Sequence, residues 1–239
     1  MARKRRIVLP GFPHHVVIRG NNRRLLFSTA DDYKMFLFFV GLALEKSRCA
    51  LNALTIMSNH VHLLLTPPEE KSLSRCIKSL AQRYAQLRNE KRDASGKLFE
   101  ERFFSRPVLS EQQVAVVVSY IHANPIRSGQ VNDAIEYRWS THAHHAGEPE
   151  RSSIQVDLWT PIDWFLSLGA DPWRRGERYL VAFDDYFQNS VEPDYVDELK
   201  IREAISERYE LRLRRPNGSR ACEPIAEYDS LGHCSKISK

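Results

Sequence analysis

Residues 60–65 read His-Val-His-Leu-Leu-Leu, and Pro67-Pro68 stops the run. Successive side chains of a strand take opposite faces, so His60, His62 and Leu64 share one face while Val61, Leu63 and Leu65 share the other. The second face is wholly apolar and has to lie against a core. A chain with this segment must therefore build a sheet and present two imidazoles from rigid backbone. Two nitrogen donors at i and i+2 are half of a metal site. The same pattern also suits ordinary hydrogen-bonded histidines, so the pair by itself leaves both readings open.

The surrounding segments supply the rest of a sheet and its cover. His14 to Arg19 is short and β-branched and ends at Gly20-Asn21-Asn22-Arg23, a turn signal. Asp31 to Leu44 opens with acids suited to a helix N-terminus and is long enough for a buried helix. Leu51 to Leu65 breaks near Ser58-Asn59, giving two paired strands or one bulged strand. Ser72 to Arg92 is an amphipathic helix with Leu73, Ile77, Leu80, Tyr84 and Leu87 in one stripe and Lys78, Arg83, Arg88, Lys91 and Arg92 elsewhere. Lys97 to Leu109 is a further strand with basic and aromatic residues interleaved, and Glu111 to Asn124 is a helix closed by Pro125. This order predicts an α+β fold, an antiparallel sheet covered by helices on one face. Beyond residue 150, Trp164 to Gly169, Arg174 to Phe187 and Asp194 to Leu213 read as helices, and the tail from about Arg215 as disordered.

Charge narrows the partners. Residues 1–150 hold 22 Lys/Arg against 14 Asp/Glu, residues 151–239 hold 13 against 16, and no acid precedes Asp31. A basic half of this kind suits a polyanion, with nucleic acid first among candidates because phosphate binding releases counterions; an idle basic surface has the same composition. Cys49, Cys76, Cys222 and Cys234 form no CxxC pair and are too sparse for a disulfide scaffold, which predicts reduced thiols and a cytoplasmic protein. No run of 18 apolar residues exists, so neither membrane spanning nor export is expected.

On the Glu111–Asn124 helix, Val114, Val117, Val118 and Ile121 form the core stripe, and Gln113, Tyr120 and Asn124 fall together on its flank. A tyrosine is a weak nucleophile until a cation or base favours the phenolate, and an amide oxygen suits a hard cation. A packed aromatic with its hydroxyl at the surface fits Tyr120 equally. His15 shares a face with Val17 and Arg19 and reads as a structural histidine; His142, His144 and His145 read as a polar loop.

Taken in order, Arg19-Gly20-Asn21-Asn22-Arg23, Met57-Ser58-Asn59-His60-Val61-His62-Leu63-Leu64-Leu65, Gly96 to Arg106, Tyr120-Ile-His-Ala-Asn-Pro-Ile-Arg-Ser-Gly129 and Tyr137-Arg-Trp139-Ser140 resemble the REP-associated tyrosine transposases of the HUH single-strand transposase superfamily. The likeness spans roughly residues 7–147. It departs from the family pattern at Ser58, where relatives commonly have Pro, and at Phe99, where many have Trp. Neither change removes a reacting group.

The resemblance implies a ferredoxin-like catalytic domain over 1–147, a helical extension over 148–214 and a disordered tail over 215–239. It implies that His60, His62 and Asn124 bind a divalent metal, Mg or Mn, and that Tyr120 attacks a phosphate of single-stranded DNA to leave a 5′-phosphotyrosine and a free 3′ hydroxyl. Recognition would involve hairpin DNA with palindromic repeats, bound by a monomer or a homodimer. Arg19, Asn21, Asn22, Arg23, Arg83, Arg102 and Arg106 are the candidate DNA contacts, with Lys4 or Arg5 holding phosphates and Phe99, Phe103 and Phe104 stacking on bases. Two other readings compete: a DNA-binding descendant that has lost mobilisation, and a metal-dependent nuclease that forms no covalent adduct.

Overall fold

A computed structural model describes residues 6–100, 102–189, 192–195 and 201. The expected tail, most of the helix expected over 194–213, and Lys4 and Arg5 lie outside the described residues. Strand β1 (His14–Arg19), helix α1 (Ala30–Ser47), strands β2 (Ala50–Ile56) and β3 (His60–Thr66), helix α2 (Ser72–Lys91) and strand β4 (Phe104–Pro107) follow in chain order. The strands form one antiparallel sheet ordered β2-β3-β1-β4, the ferredoxin-like arrangement of an α+β fold. Helices α3 (Glu111–Arg127), α4 (His142–Ala146), α5 (Asp163–Ser167) and α6 (Pro172–Asn189) complete it. Residues up to Asp194 form one compact unit; of the second, Tyr195–Lys239, only Tyr195 and Ile201 are described.

The strand alternation sets the core. Val16, Ile18, Leu51, Leu54, Ile56, Val61, Leu63 and Leu65 form a single buried cluster with Phe36, Val40, Leu73, Ile77, Leu80 and Tyr84 of α1 and α2. The other face is covered too, which corrects the one-sided sheet expected from the sequence. Helix α3 packs on β2 and β3, and Leu64, expected on an open face beside the histidines, is fully buried. The break in the β2–β3 segment resolves as two paired strands, with a register shift between Leu51 and Ala53. There Asn52 accepts from the Thr66 hydroxyl at 2.6 Å and donates to the Thr160 carbonyl at 3.0 Å, so the bulge binds later chain to the sheet.

Three further expectations change. Only Phe104–Pro107 of the expected 97–109 strand pairs as a strand, with Phe99 making an isolated bridge to Gly20. Helix α3 runs through Pro125 to Arg127 instead of closing at Asn124. Proline costs one backbone bond there, and so near the C-terminus the helix bears it. His142, His144 and His145 form buried helix α4 rather than a polar loop. The Tyr179 hydroxyl stands 2.7 Å from Nδ1 of both His122 and His142, while His145 Nδ1 donates to the Thr141 carbonyl at 3.0 Å. These contacts lock α3, α4 and α6 together.

Arg88, assigned from the sequence to the basic outer face, turns inward. It is 4% exposed, donates to the Leu26 carbonyl at 3.1 Å and lies 3.7 Å from the Asp32 carboxylate. Asp32 also closes a capping box with Thr29 at the start of α1. Asp32→Ala therefore removes a cap and leaves a buried guanidinium without its counter-charge, a loss of about 3–5 kcal/mol. Adding Arg88→Met should recover most of it, and urea unfolding of the two single variants and the double variant measures both effects.

The buried histidines make the fold acid-sensitive. Burial lowers His14 and His142 to about 4 and His145 to about 3, against 6.5 when exposed. His14 needs its neutral form for both its bonds, donating from Nδ1 to the Phe12 carbonyl and accepting at Nε2 from the Leu9 N–H. Below about pH 6.5 the unfolded chain binds protons that the folded chain refuses, so stability present above that pH is lost as the pH falls toward 4. The melting temperature should drop steeply between about pH 6.5 and 4.5. A flat profile would contradict it.

Candidate active site

Register brings the candidate residues together. Strand β1 lies between β3 and β4, so Arg19 faces His60, Val17 faces His62 and Phe104, and His15 faces Leu64 and Arg106. His60, His62, His15, Arg19, Phe104 and Arg106 thus share one face. Onto it α3 delivers Tyr120, whose ring centroid is 5.6 Å from that of His62 and 5.7 Å from that of His15. The His60 and His62 rings are 4.8 Å apart and nearly perpendicular. A phenol and two imidazoles from segments some 60 residues apart in sequence are therefore neighbours.

Each histidine of the pair is held by one nitrogen. His60 Nδ1 bonds the Asn59 side-chain oxygen at 2.6 Å, and His62 Nδ1 bonds His15 Nε2 at 3.0 Å. Among the described residues no hydrogen bond reaches Nε2 of either ring. Burial lowers His60 to about 4, with Arg19 adding to the effect; burial, His15, His60 and Arg19 in that order hold His62 well below its ordinary value. Both rings are thus neutral at physiological pH, with Nε2 the nitrogen left for a ligand. Asn124, one turn beyond Tyr120, donates its amide to the Tyr120 carbonyl at 2.7 Å. That bond identifies the nitrogen of the amide and leaves Oδ1 as an unused acceptor.

Two neutral imidazoles side by side suit a divalent cation and leave coordination positions for water and phosphate oxygens. Among the described residues no group of three or more His, Cys, Asp or Glu side chains is arranged to hold a metal. The α4 histidines are buried against Tyr179, Trp159 and Phe165.

Tyr120 is a protonated phenol at rest. Burial raises its pKa and Glu192 adds to the rise, while Arg127 and Arg19 oppose it. The Arg127 guanidinium lies 5.5 Å over the Tyr120 ring and pairs with Glu192 at 2.9 Å. The hydroxyl therefore needs help to lose its proton as it attacks.

The other predicted contacts divide. Arg19, Asn21, Asn22 and Arg23 cluster at the end of β1 beside His60, and Arg106 lies across from His15 on the same face. Arg83 is exposed on α2, the layer covering the opposite face, so the structure does not bring it to the histidine pair. Arg102 is exposed ahead of β4 and close enough to Arg6 to lower its pKa, second to burial. Phe99 and Phe103 pack against the α1/α2 core, with Arg6 3.6 Å above the Phe103 ring, instead of presenting free faces to bases. Of the three phenylalanines only Phe104 is exposed, at 40%, and it lies 5.9 Å from His15. Sequence reasoning set His15 aside as structural and gave Asn59 no role; the available signals were the alternation placing His15 on the Arg19 face and the adjacency of Asn59 to His60.

Comparison with known proteins bears on the fold and the family. No curated protein matches the chain. The solved structure of a REP-associated tyrosine transposase bound to a REP hairpin matches with a TM-score of 0.54 and 17% identity, over 68% of this chain and 93% of that one, and so shares the fold. A protein described as a transposase from Deinococcus radiodurans R1 matches at a TM-score of 0.36 and 20% identity, over 51% of this chain and 95% of that one. Residues 11–124 match the family model described as "Transposase IS200 like", a span that includes His15, His60, His62, Tyr120 and Asn124. Through that span the chain is similar to the IS200-like transposases, and the match supports an enzyme of DNA strand transfer.

Proposed function

We propose that this protein cuts and rejoins single-stranded DNA beside a hairpin, with Tyr120 as nucleophile and His60, His62 and Asn124 as holders of a divalent cation. The observation that carries this reading is the packing of the Tyr120 ring against His62, whose Nε2 is unbonded among the described residues. Tyr120 Oη attacks the scissile phosphorus, the P–O3′ bond breaks, the phenol proton passes to water, and the departing oxygen takes up a proton as a free 3′ hydroxyl. The 5′ end stays on the tyrosine as a phosphodiester, so the reverse attack by a 3′ hydroxyl rejoins strands without a nucleotide cofactor. A cation held by the pair, Mg or Mn, supplies Lewis-acid polarisation of the phosphate. Arg19, with no acid directly facing it across β3, offers a fixed positive charge beside His60 for the same phosphate.

The hairpin in this reading comes from the relative's bound REP hairpin and from the chain's own basic face. Asn21, Asn22, Arg23 and Arg106 are the contacts nearest the pair, and Phe104 is the exposed ring for stacking an unpaired base. Residues 1–147 form the catalytic domain of this proposal and 148–214 an extension, in which Tyr179 of α6 reaches His122, two residues from the nucleophile. Palindromic repeats are the proposed targets, and one or two copies would act.

A labelled hairpin oligonucleotide with a single-stranded flank should remain on the wild-type protein through denaturing electrophoresis and be absent from Tyr120→Phe. His60→Ala and His62→Ala should lose the adduct by about 10²-fold or more while retaining hairpin binding. Cleavage that persists in Tyr120→Phe would identify a water-driven nuclease, and binding without cleavage in the wild type a DNA-binding descendant. Hairpin affinity should also fall by about 10-fold or more between about 50 and 200 mM salt, as phosphate contacts require. A titration by fluorescence anisotropy reads this, and a flat response would refute the electrostatic argument.

A further inference from the structure

The turn after β1 is backbone under constraint. Asn22 and Arg23 both take positive φ, 53° and 55°, a region that Asn adopts readily and that is unfavourable for Arg. Gly20 has no room for a side chain, since a Cβ there would collide with the Arg24 carbonyl oxygen. Besides backbone bonds such as Asn21 N–H to the Leu98 carbonyl at 2.9 Å, this arrangement is held by a residue of the β2–β3 turn. The Asn59 carbonyl accepts from Gly20 N–H at 2.9 Å, and its side-chain nitrogen donates to the Arg23 carbonyl at 3.3 Å. Its side-chain oxygen meets His60 Nδ1.

The chemistry of these contacts has one consistent solution. A backbone carbonyl only accepts, so the Arg23 oxygen fixes which end of the Asn59 amide is nitrogen. The opposite end must then be oxygen, which also only accepts, so His60 Nδ1 carries the proton. A neutral imidazole protonated at Nδ1 has its lone pair at Nε2. The conformation of the turn thereby dictates the tautomer of His60, through one amide.

We propose that Asn59 is a positioning residue that ties the turn bearing Asn21, Asn22 and Arg23 to the metal-binding form of His60. The inference rests on the histidine pair being a cation site, as set out above. Its two ends are separable by substitution. Asn59→Asp keeps an acceptor for His60 Nδ1–H but sets a carboxylate oxygen against the Arg23 carbonyl, so it preserves the tautomer and disrupts the turn. Asn59→Ala loses both contacts.

Mn²⁺ binding, read from the free-ion signal in electron paramagnetic resonance, and hairpin binding without metal, read by anisotropy, should be measured on both variants, the wild type and His60→Ala, each checked for a cooperative melt. Asn59→Ala should weaken Mn²⁺ binding by about 10-fold or more, the usual effect of removing a ligand's supporting hydrogen bond, and should weaken hairpin binding as well. Asn59→Asp should restore Mn²⁺ affinity to within a few-fold of wild type while hairpin binding stays weak. Wild-type Mn²⁺ affinity in Asn59→Ala, or equal Mn²⁺ loss in both Asn59 variants, overturns the role of Asn59 where His60→Ala still abolishes binding. Unchanged Mn²⁺ binding in His60→Ala overturns the cation-site reading itself, and the Asn59 role with it.

Discussion

Burial of the sheet on both faces is the constraint from which the site follows. With α1 and α2 on one side and α3 packed on β2 and β3 on the other, an imidazole in the middle of the sheet loses water whichever way it points, and His60 near its end stays partly exposed. His62 and His15 are 4% and 2% exposed. A histidine taken out of water without a counter-charge stays neutral, and a neutral imidazole has one donor and one acceptor to place. The chain places one nitrogen of each in the structure, His62 against His15 and His60 against Asn59. What remains is an Nε2 on each ring with no hydrogen bond among the described residues, and at His60 the Asn59 bond leaves that nitrogen unprotonated, the form a metal needs.

The same desolvation shapes the nucleophile. Among the described residues no hydrogen bond joins the half-buried Tyr120 hydroxyl to a base, and burial raises its pKa. Such a site does not hold a phenolate ready to react with whatever enters. In the proposed reaction it would become reactive only when phosphate and cation arrive together, which suits an enzyme that must cut only a properly seated strand. Arg19 and Arg127 pull the phenol the other way, so the balance at Tyr120 is set by which charges are screened or engaged when DNA binds.

Much of this was legible in the sequence because alternation and helical spacing are local rules. The His-Val-His-Leu-Leu-Leu run fixed the strand and its faces, and the i, i+4 relation put Tyr120 and Asn124 one turn apart on a helix that does present them together. The failures share a cause, which is that local rules do not report the second layer. Leu64 looked exposed since nothing in β3 announces α3 above it. His142, His144 and His145 look polar in isolation, and only Tyr179, Trp159 and Phe165, distant in sequence, make them a buried core. Arg88 sits one residue past the apolar stripe, and its inward turn depends on Asp32, 56 positions earlier. His15 meets its partner His62 from another strand, and of the two side-chain contacts of Asn59 only the one to the Arg23 carbonyl is distant in sequence, the other being to its neighbour His60.

The layer that hid these residues also steadies the catalytic geometry. Tyr120 and His122 lie two apart on α3 and therefore point to different sides of the helix. One side meets the histidine pair. The other is fixed by His122, bonded to Tyr179 at 2.7 Å and to the Thr141 hydroxyl at 3.0 Å, with Thr141 itself bonded to the β2 backbone at Leu54. Strand β2 is hydrogen-bonded along its length to β3, the strand that carries the histidines. The nucleophile and the imidazoles are thus joined by a closed circuit of packing and hydrogen bonds, α3 to α4 to β2 to β3 and back to α3. A helix held at one face only could slide by the ångström or so that costs an in-line attack its alignment. Tyr120 is held from both sides, by His62 and His15 on one and through His122 on the other.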